Sequence, residues 1–207
     1  MERDSLSRWQ RFYLHDATLA DIPPSLCAKK AARKFAERDC QLVLDLGCGT
    51  GRDSLLLAQS GMQVIGLDAA RSGLQLAQGR AAAESAYIVW VESDSRALPF
   101  ADGLFDGVYC FGLLHEFVGE TAAADVDQTM TEIFRILKEY GMAIIATAAG
   151  DPEKGLPHVQ NFSEPMFGAA TRIFNCLEKR EFNDLGCTGR DDYKVWFGHF
   201  AKNAGVS

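Results

Sequence analysis

The chain has 207 residues, 47% of them hydrophobic and 24% charged, with a formal net charge of −7. That length suits one domain, residues 1–207, with enough chain for a full core. The acidic balance argues against a nucleic-acid partner, because phosphate neutralisation needs a basic surface, and no apolar run is long enough to span a membrane.

In chain order, residues 5–15 read as a short aromatic-rich helix in which Trp9 and Tyr13 share one face. Asp21-Ile22-Pro23-Pro24 breaks it, and residues 24–37 read as a second helix with Ser25 near its start. Strands are predicted at 41–46, 63–67, 87–91, 107–111 and 142–147, and helices at 52–59 and 73–83. Val126, Met130, Ile133 and Leu137 recur at helical spacing. This alternation predicts a parallel sheet with helices on both faces. Residues 163–174 read as a helix. The segments 175–183 and 193–201 then follow with only a polar loop between them, so they are expected to pair as an antiparallel hairpin at the sheet edge.

The first strand ends in Val43-Leu44-Asp45-Leu46-Gly47-Cys48-Gly49-Thr50-Gly51, and a helix begins directly after it. A strand feeding a helix through a loop poor in β-carbons lets a ligand lie against bare backbone. The spacing is G-x-G-x-G, whereas a dinucleotide fingerprint is G-x-G-x-x-G, and no Walker lysine follows. Asp45 would repel a pyrophosphate and suits a ligand carrying an ammonium group. The six cysteines include no C-x-x-C pair and the histidines no zinc spacing, so reduced thiols and no metal are expected.

Asp45-Leu46-Gly47-Cys48-Gly49-Thr50-Gly51 resembles the first motif of the class I S-adenosylmethionine-dependent methyltransferases. The resemblance continues through Val64-Ile65-Gly66-Leu67-Asp68, then Asp94 with Leu98-Pro99-Phe100, then Phe105-Asp106-Gly107-Val108. It extends to Ile133-Phe134-Arg135-Ile136-Leu137-Lys138 with Gly141-Met142. Glu139-Tyr140 fills a turn where the family usually has Pro-Gly. The glycine loop followed by Arg52-Asp53-Ser54 is locally similar to the tellurite-resistance and thiopurine-type members. The resemblance implies a Rossmann-like seven-stranded sheet, six strands parallel and one antiparallel, with S-adenosylmethionine bound beyond the strand ends.

On that resemblance, Gly47, Cys48, Gly49 and Gly51 would pass close to the methionine part of the cofactor, and Asp45 would balance its ammonium. Asp68 would accept both ribose hydroxyls, with Ala69 packing on the adenine. Asp94 would accept from the adenine amine, Ser95 would add a backbone donor, and Phe111 or Gly112 would lie near the sulfonium. His115, just past strand four, is the expected general base for an acceptor that must lose a proton. Glu116 reads as its solvated partner. Residues 1–40 are expected to form a lid and 149–174 an acceptor-side insertion. A small-molecule acceptor is expected, in a cytoplasmic monomer or homodimer, since Met1-Glu2-Arg3-Asp4 lacks a signal-peptide core. The competing readings are a non-catalytic cofactor-binding protein and a nicotinamide-dependent oxidoreductase.

Overall fold

The computed structural model describes residues 3–15, 22–154, 158–184 and 193–203. Seven strands form one sheet: β1 (Leu42–Leu46), β2 (Gln63–Asp68), β3 (Val89–Glu92), β4 (Phe105–Phe111), β5 (Leu137–Ala148), β6 (Asn175–Asn183) and β7 (Lys194–Ala201). Their order is β3-β2-β1-β4-β5-β7-β6. Only β7 runs against its neighbours, pairing antiparallel with both β5 and β6. The expected pattern of six parallel strands and one antiparallel is therefore the observed one.

Helices cover both faces, as the alternation of patterns requires. Along β1 the side chains alternate. Val43 enters one core with Phe35 of α2 (Leu26–Glu37) and Leu57 of α3 (Arg52–Gln59). Leu44 and Leu46 enter the other, with Met130 and Ile133 of α5 (Ala122–Ile136) and Phe167 of α6 (Glu164–Ala170). Gly107 of the fourth motif is explained by this packing. A Cβ there would meet the Phe35 ring at 2.5 Å, so a side chain would push α2 off the sheet.

The start of α2 sits against the site, and side chains satisfy its first amides. Ser25 caps it by accepting from Ala28 N at 2.9 Å. The fully buried Asp184 accepts from Leu26 N and Cys27 N, both at 3.0 Å. α4 (Arg71–Ala83) begins one turn after β2 ends, and α1 (Arg3–His15) lies against it.

Two boundaries differ from expectation by more than two residues. Leu137 reads as the last core position of α5 but is the first residue of β5, fully buried and paired with Phe105. The register then shifts so that Gly107 pairs with Met142. The intervening bulge carries the unusual Glu139-Tyr140, with exposed Tyr140 at a left-handed φ of 62°. A helical repeat cannot reveal such a switch, because a buried leucine serves helix and strand alike. Likewise α6 spans only seven residues, and 171–174 form turns. Five cysteines are free thiols, and Cys187 lies outside the described residues. Among the described residues no helix is long and apolar enough to cross a membrane.

Candidate active site

In an open sheet of this kind, ligands sit beyond the C-terminal strand ends where the strand order reverses. Here that point lies between β1 and β4, which are adjacent and parallel. A cavity of ≈ 350 Å³ opens there. Asp45, Gly47, Cys48, Gly49, Asp68, Ala69, Asp94, Ser95, Phe111 and His115 all line it. Gly51 does not. It turns the chain into α3 at φ 71°, where a Cβ would meet Trp90 at 2.6 Å and Ala77 at 2.8 Å.

The glycine loop is locked from within. The amides of Gly47 and Cys48 donate to Leu67 O at 2.8 and 3.0 Å, and Gly51 N donates to Cys48 O at 2.9 Å. Gly49 N donates to Asp68 Oδ2 at 2.8 Å. Asp68 also accepts from Ala70 N, at 2.8 Å through Oδ1. One carboxylate at the end of β2 thus fixes the loop after β1 and the entry to α4. Each oxygen keeps further lone-pair capacity toward the cavity. Four amides turned to internal acceptors, beside three carboxylates, make this a poor pyrophosphate cradle.

Asp45 is almost completely buried, and Ser54 Oγ donates to it at 2.5 Å. Burial, reinforced by the neighbouring Asp53 charge, pushes its pKa up to about 8. Asp53 in turn accepts from Ser25 N, Ser25 Oγ and the Tyr109 hydroxyl, at 2.8, 2.8 and 3.0 Å. Sequence reading assigned Asp53 nothing, yet it ties α2, α3 and β4 together beneath the cavity. Burial also raises the Cys48 thiol well above its usual range, which leaves it an inert packing group.

Asp94 reaches the cavity rim but is engaged. Arg96 contacts it through Nε at 3.0 Å and Nη2 at 2.7 Å, and this guanidinium holds the carboxyl below its ordinary value. Ser95 Oγ pairs with Thr129 Oγ1 at 3.3 Å, so only its backbone is available to a ligand.

His115 is buried in a short 3₁₀ turn. Its Nδ1 accepts from Ala148 N at 3.3 Å, which places the ring proton on Nε2, 3.4 Å from Glu116 Oε1. Burial, then the Arg8 charge, pushes its pKa down to about 4. The imidazole is therefore neutral across the physiological range.

The reading of Glu116 is corrected. It is buried, not solvated, and its Oε2 accepts from both Arg8 Nη2 and Trp9 Nε1, the latter at 2.9 Å. Ser72 N and Ser72 Oγ bond Gln10 at 3.0 Å each. Between them these contacts hold α1 against the cavity, which Trp9 and Tyr13, stacked at 5.2 Å, help to line. Of the segment 1–40 expected as a lid, α1 brings Trp9, Phe12 and Tyr13 to the cavity lining, and residues 1–2 and 16–21 lie outside the description. The insertion 149–174 is placed differently from expectation, since none of its described residues lines the cavity. It backs the site instead, with Gln160 N donating to His115 O at 2.8 Å.

The fold is that of the class I S-adenosylmethionine-dependent methyltransferases, and the strand-end residues resemble theirs. Residues 44–145 match the family model described as a methyltransferase domain. Among curated proteins, the chain is 32% identical over 120 residues to a demethylmenaquinone methyltransferase of Thermus thermophilus, covering 56% of this chain and 51% of that one. It is 31% identical over 177 residues to the O-methyltransferase resE of Aspergillus sclerotiorum, covering 81% and 64%. The chain spans about half the length of the first curated relatives it matches. A solved S-adenosylmethionine-dependent methyltransferase from Methanosarcina mazei superposes with a TM-score of 0.67 at 19% identity, covering 79% of this chain and 93% of that one.

Proposed function

We propose that this protein binds S-adenosylmethionine and transfers its methyl group to a small molecule. The observation that carries this reading is the convergence of Asp45, Asp68 and the internally locked glycine loop on one cavity at the strand-order reversal. The residues fit the cofactor's donors. Buried Asp45 faces its ammonium, and Asp68 has acceptor capacity for both ribose hydroxyls. Ala69 packs on the adenine. Asp94, shared with Arg96, accepts from the adenine amine beside the Ser95 backbone. Phe111, in the cavity lining, would offer an aromatic face to the sulfonium.

The bound sulfonium supplies an already activated methyl group. The protein's part is positioning and exclusion of water, which α1 would serve through Trp9, Phe12 and Tyr13. For an acceptor that must lose a proton, His115 is the base in this reading, and Nδ1 must exchange the Ala148 amide for that proton. With its pKa near 4, turnover should be flat between about pH 5.5 and 7.5. His115→Ala should lower it on the order of a hundredfold without shifting cofactor affinity. A limb near pH 6.5 that vanishes in the variant would contradict the burial argument. Relatives named as demethylmenaquinone and phytyl-naphthoquinone methyltransferases favour a ring-bearing acceptor, as do Trp9, Phe12 and Phe111 at the cavity.

Calorimetry with S-adenosylmethionine, S-adenosylhomocysteine and NAD tests the reading, followed by labelled methyl transfer into a metabolite extract. Binding of the first two and not of NAD is expected. Binding of NAD alone would overturn it, and binding without any transfer would leave a cofactor-binding protein.

Asp45 gives this measurement a pH dependence. Its carboxyl is protonated in the unliganded fold up to about pH 8, against 3.8 when unfolded. Asp53 and Asp68 raise that value, and Arg52 opposes them. An ammonium beside Asp45 favours the ionised form, so cofactor binding should release a proton below about pH 8 and tighten as pH rises toward it. The sign for folding is opposite. Stability from the protonated carboxyl is fully present below 3.8 and lost as pH rises through about 8. Calorimetry in buffers of different ionisation enthalpy reads the proton directly, and no buffer dependence at pH 6–7 would refute the linkage.

A further inference from the structure

A bound S-adenosylmethionine presents donors, which are its ammonium and ribose hydroxyls, and one anion, its carboxylate. Asp45, Asp68, Asp94 and Glu116 line the cavity and match only the donors. In the glycine loop the Gly47, Cys48, Gly49 and Gly51 amides are already donated to internal oxygens, which leaves Thr50 N as the loop amide without such a bond. The Trp9 indole N–H is held by Glu116, and the Tyr109 hydroxyl by Asp53.

Tyr13 is differently placed. It sits in the last turn of α1 with its hydroxyl directly over Gly49, where an added Cβ would lie 2.7 Å from the oxygen. Its ring edge rests on Gly73, where an added Cβ would lie 2.9 Å away. The hydroxyl makes no hydrogen bond to any described residue, although it lines the cavity. Burial, reinforced by the charges of Asp68 and Glu116, holds the phenol well above its ordinary range, so it stays protonated and can donate. The ring is fixed by stacking on Trp9, and the helix by Gln10 on Ser72 and by Glu116. Arg52 lines the same cavity and supplies positive charge.

We propose that Tyr13 is a cofactor-positioning residue whose hydroxyl donates a hydrogen bond to the carboxylate of bound S-adenosylmethionine, making α1 a wall of the cofactor site. The inference rests on the cofactor assignment above and adds the carboxylate subsite. A neutral donor there, with Arg52 alongside, places the one anionic group of the ligand away from the surrounding carboxylates.

The test compares two ligands on the full chain: S-adenosylmethionine, and its decarboxylated form, which keeps the sulfonium, ribose, adenine and ammonium. Tyr13→Phe keeps the ring and its stacking. It should weaken S-adenosylmethionine about tenfold or more, the scale of a lost hydrogen bond to a charged group. It should leave the decarboxylated ligand unchanged. Equal weakening of both ligands would make Tyr13 a packing residue and overturn the proposal, and so would no weakening of either. Thr50→Val, which removes the neighbouring loop hydroxyl, is the comparison variant. If it, and not Tyr13→Phe, loses S-adenosylmethionine selectively, the subsite is assigned to the wrong residue. A wild-type chain that binds neither ligand would overturn the cofactor assignment itself, a result distinct from failure of the Tyr13 variant.

Discussion

Asp68→Ala should weaken S-adenosylmethionine by about 1.5–3 kcal/mol, the scale of lost hydrogen bonds to a charged acceptor. Sequence reasoning expects the stability of the unliganded fold to fall much less than the affinity, with a capping role at the next helix as the competing reading. The structure gives Asp68 a second duty. Asp68 accepts from Gly49 N and from Ala70 N, each at 2.8 Å, at a partly buried position. Removing it strands two amides, at a cost of about 1–3 kcal/mol for a donor left without a partner. Affinity and melting temperature should therefore fall together. Asp68→Asn keeps one acceptor oxygen and should recover part of both. Calorimetry and thermal unfolding on the two variants decide the matter. A lowered melting temperature with wild-type affinity would leave Asp68 as a loop anchor only.

This double duty illustrates what the sequence makes legible. The strand-end acids and the glycine spacing mark the site because each residue type answers a local demand, for an acceptor or for bare backbone, at a fixed distance from a strand. Trp9 and Tyr13 were readable as one helix face, and the structure stacks them in the cavity lining. The residues that escaped are those whose role depends on distant partners. Glu116 follows a histidine and reads as solvated, yet it meets Arg8 and Trp9 from a helix more than a hundred residues earlier. The apolar run around it, Leu113-Leu114 and Phe117, was the available signal, since a charge within such a run is buried and must be paired. Asp53 and Asp184 give the same lesson, because the amides and hydroxyls they satisfy lie far away along the chain. Arg96, two residues after Asp94, was within reach of a local argument. Its guanidinium clamps the very carboxylate assigned to the adenine.

The strongest expected loss of binding belongs to Gly49→Val, which should abolish cofactor binding while the protein still folds. Three effects coincide at this position. Gly49 has a φ of 52°, in the left-handed region, where a β-branched residue is strained by about 1–3 kcal/mol. Its first side-chain carbon would come within 2.7 Å of the Tyr13 hydroxyl, so Tyr13 must leave and α1 loses its seat on the loop. Any backbone relaxation that relieves the strain also turns Gly49 N away from Asp68. The fold itself should survive. Gly49 belongs to neither hydrophobic core, and the sheet pairings on both sides of β1 end at Leu46. Circular dichroism should show native helix and strand content with a lowered melting temperature, and calorimetry should show no heat with S-adenosylmethionine. Gly49→Ala in a Tyr13→Ala background separates the causes. It removes the collision but keeps the unfavourable φ, so cofactor binding should stay weaker than in Tyr13→Ala alone. Full wild-type affinity in Gly49→Val would mean that the loop is only a turn and that the cofactor, if bound, lies elsewhere.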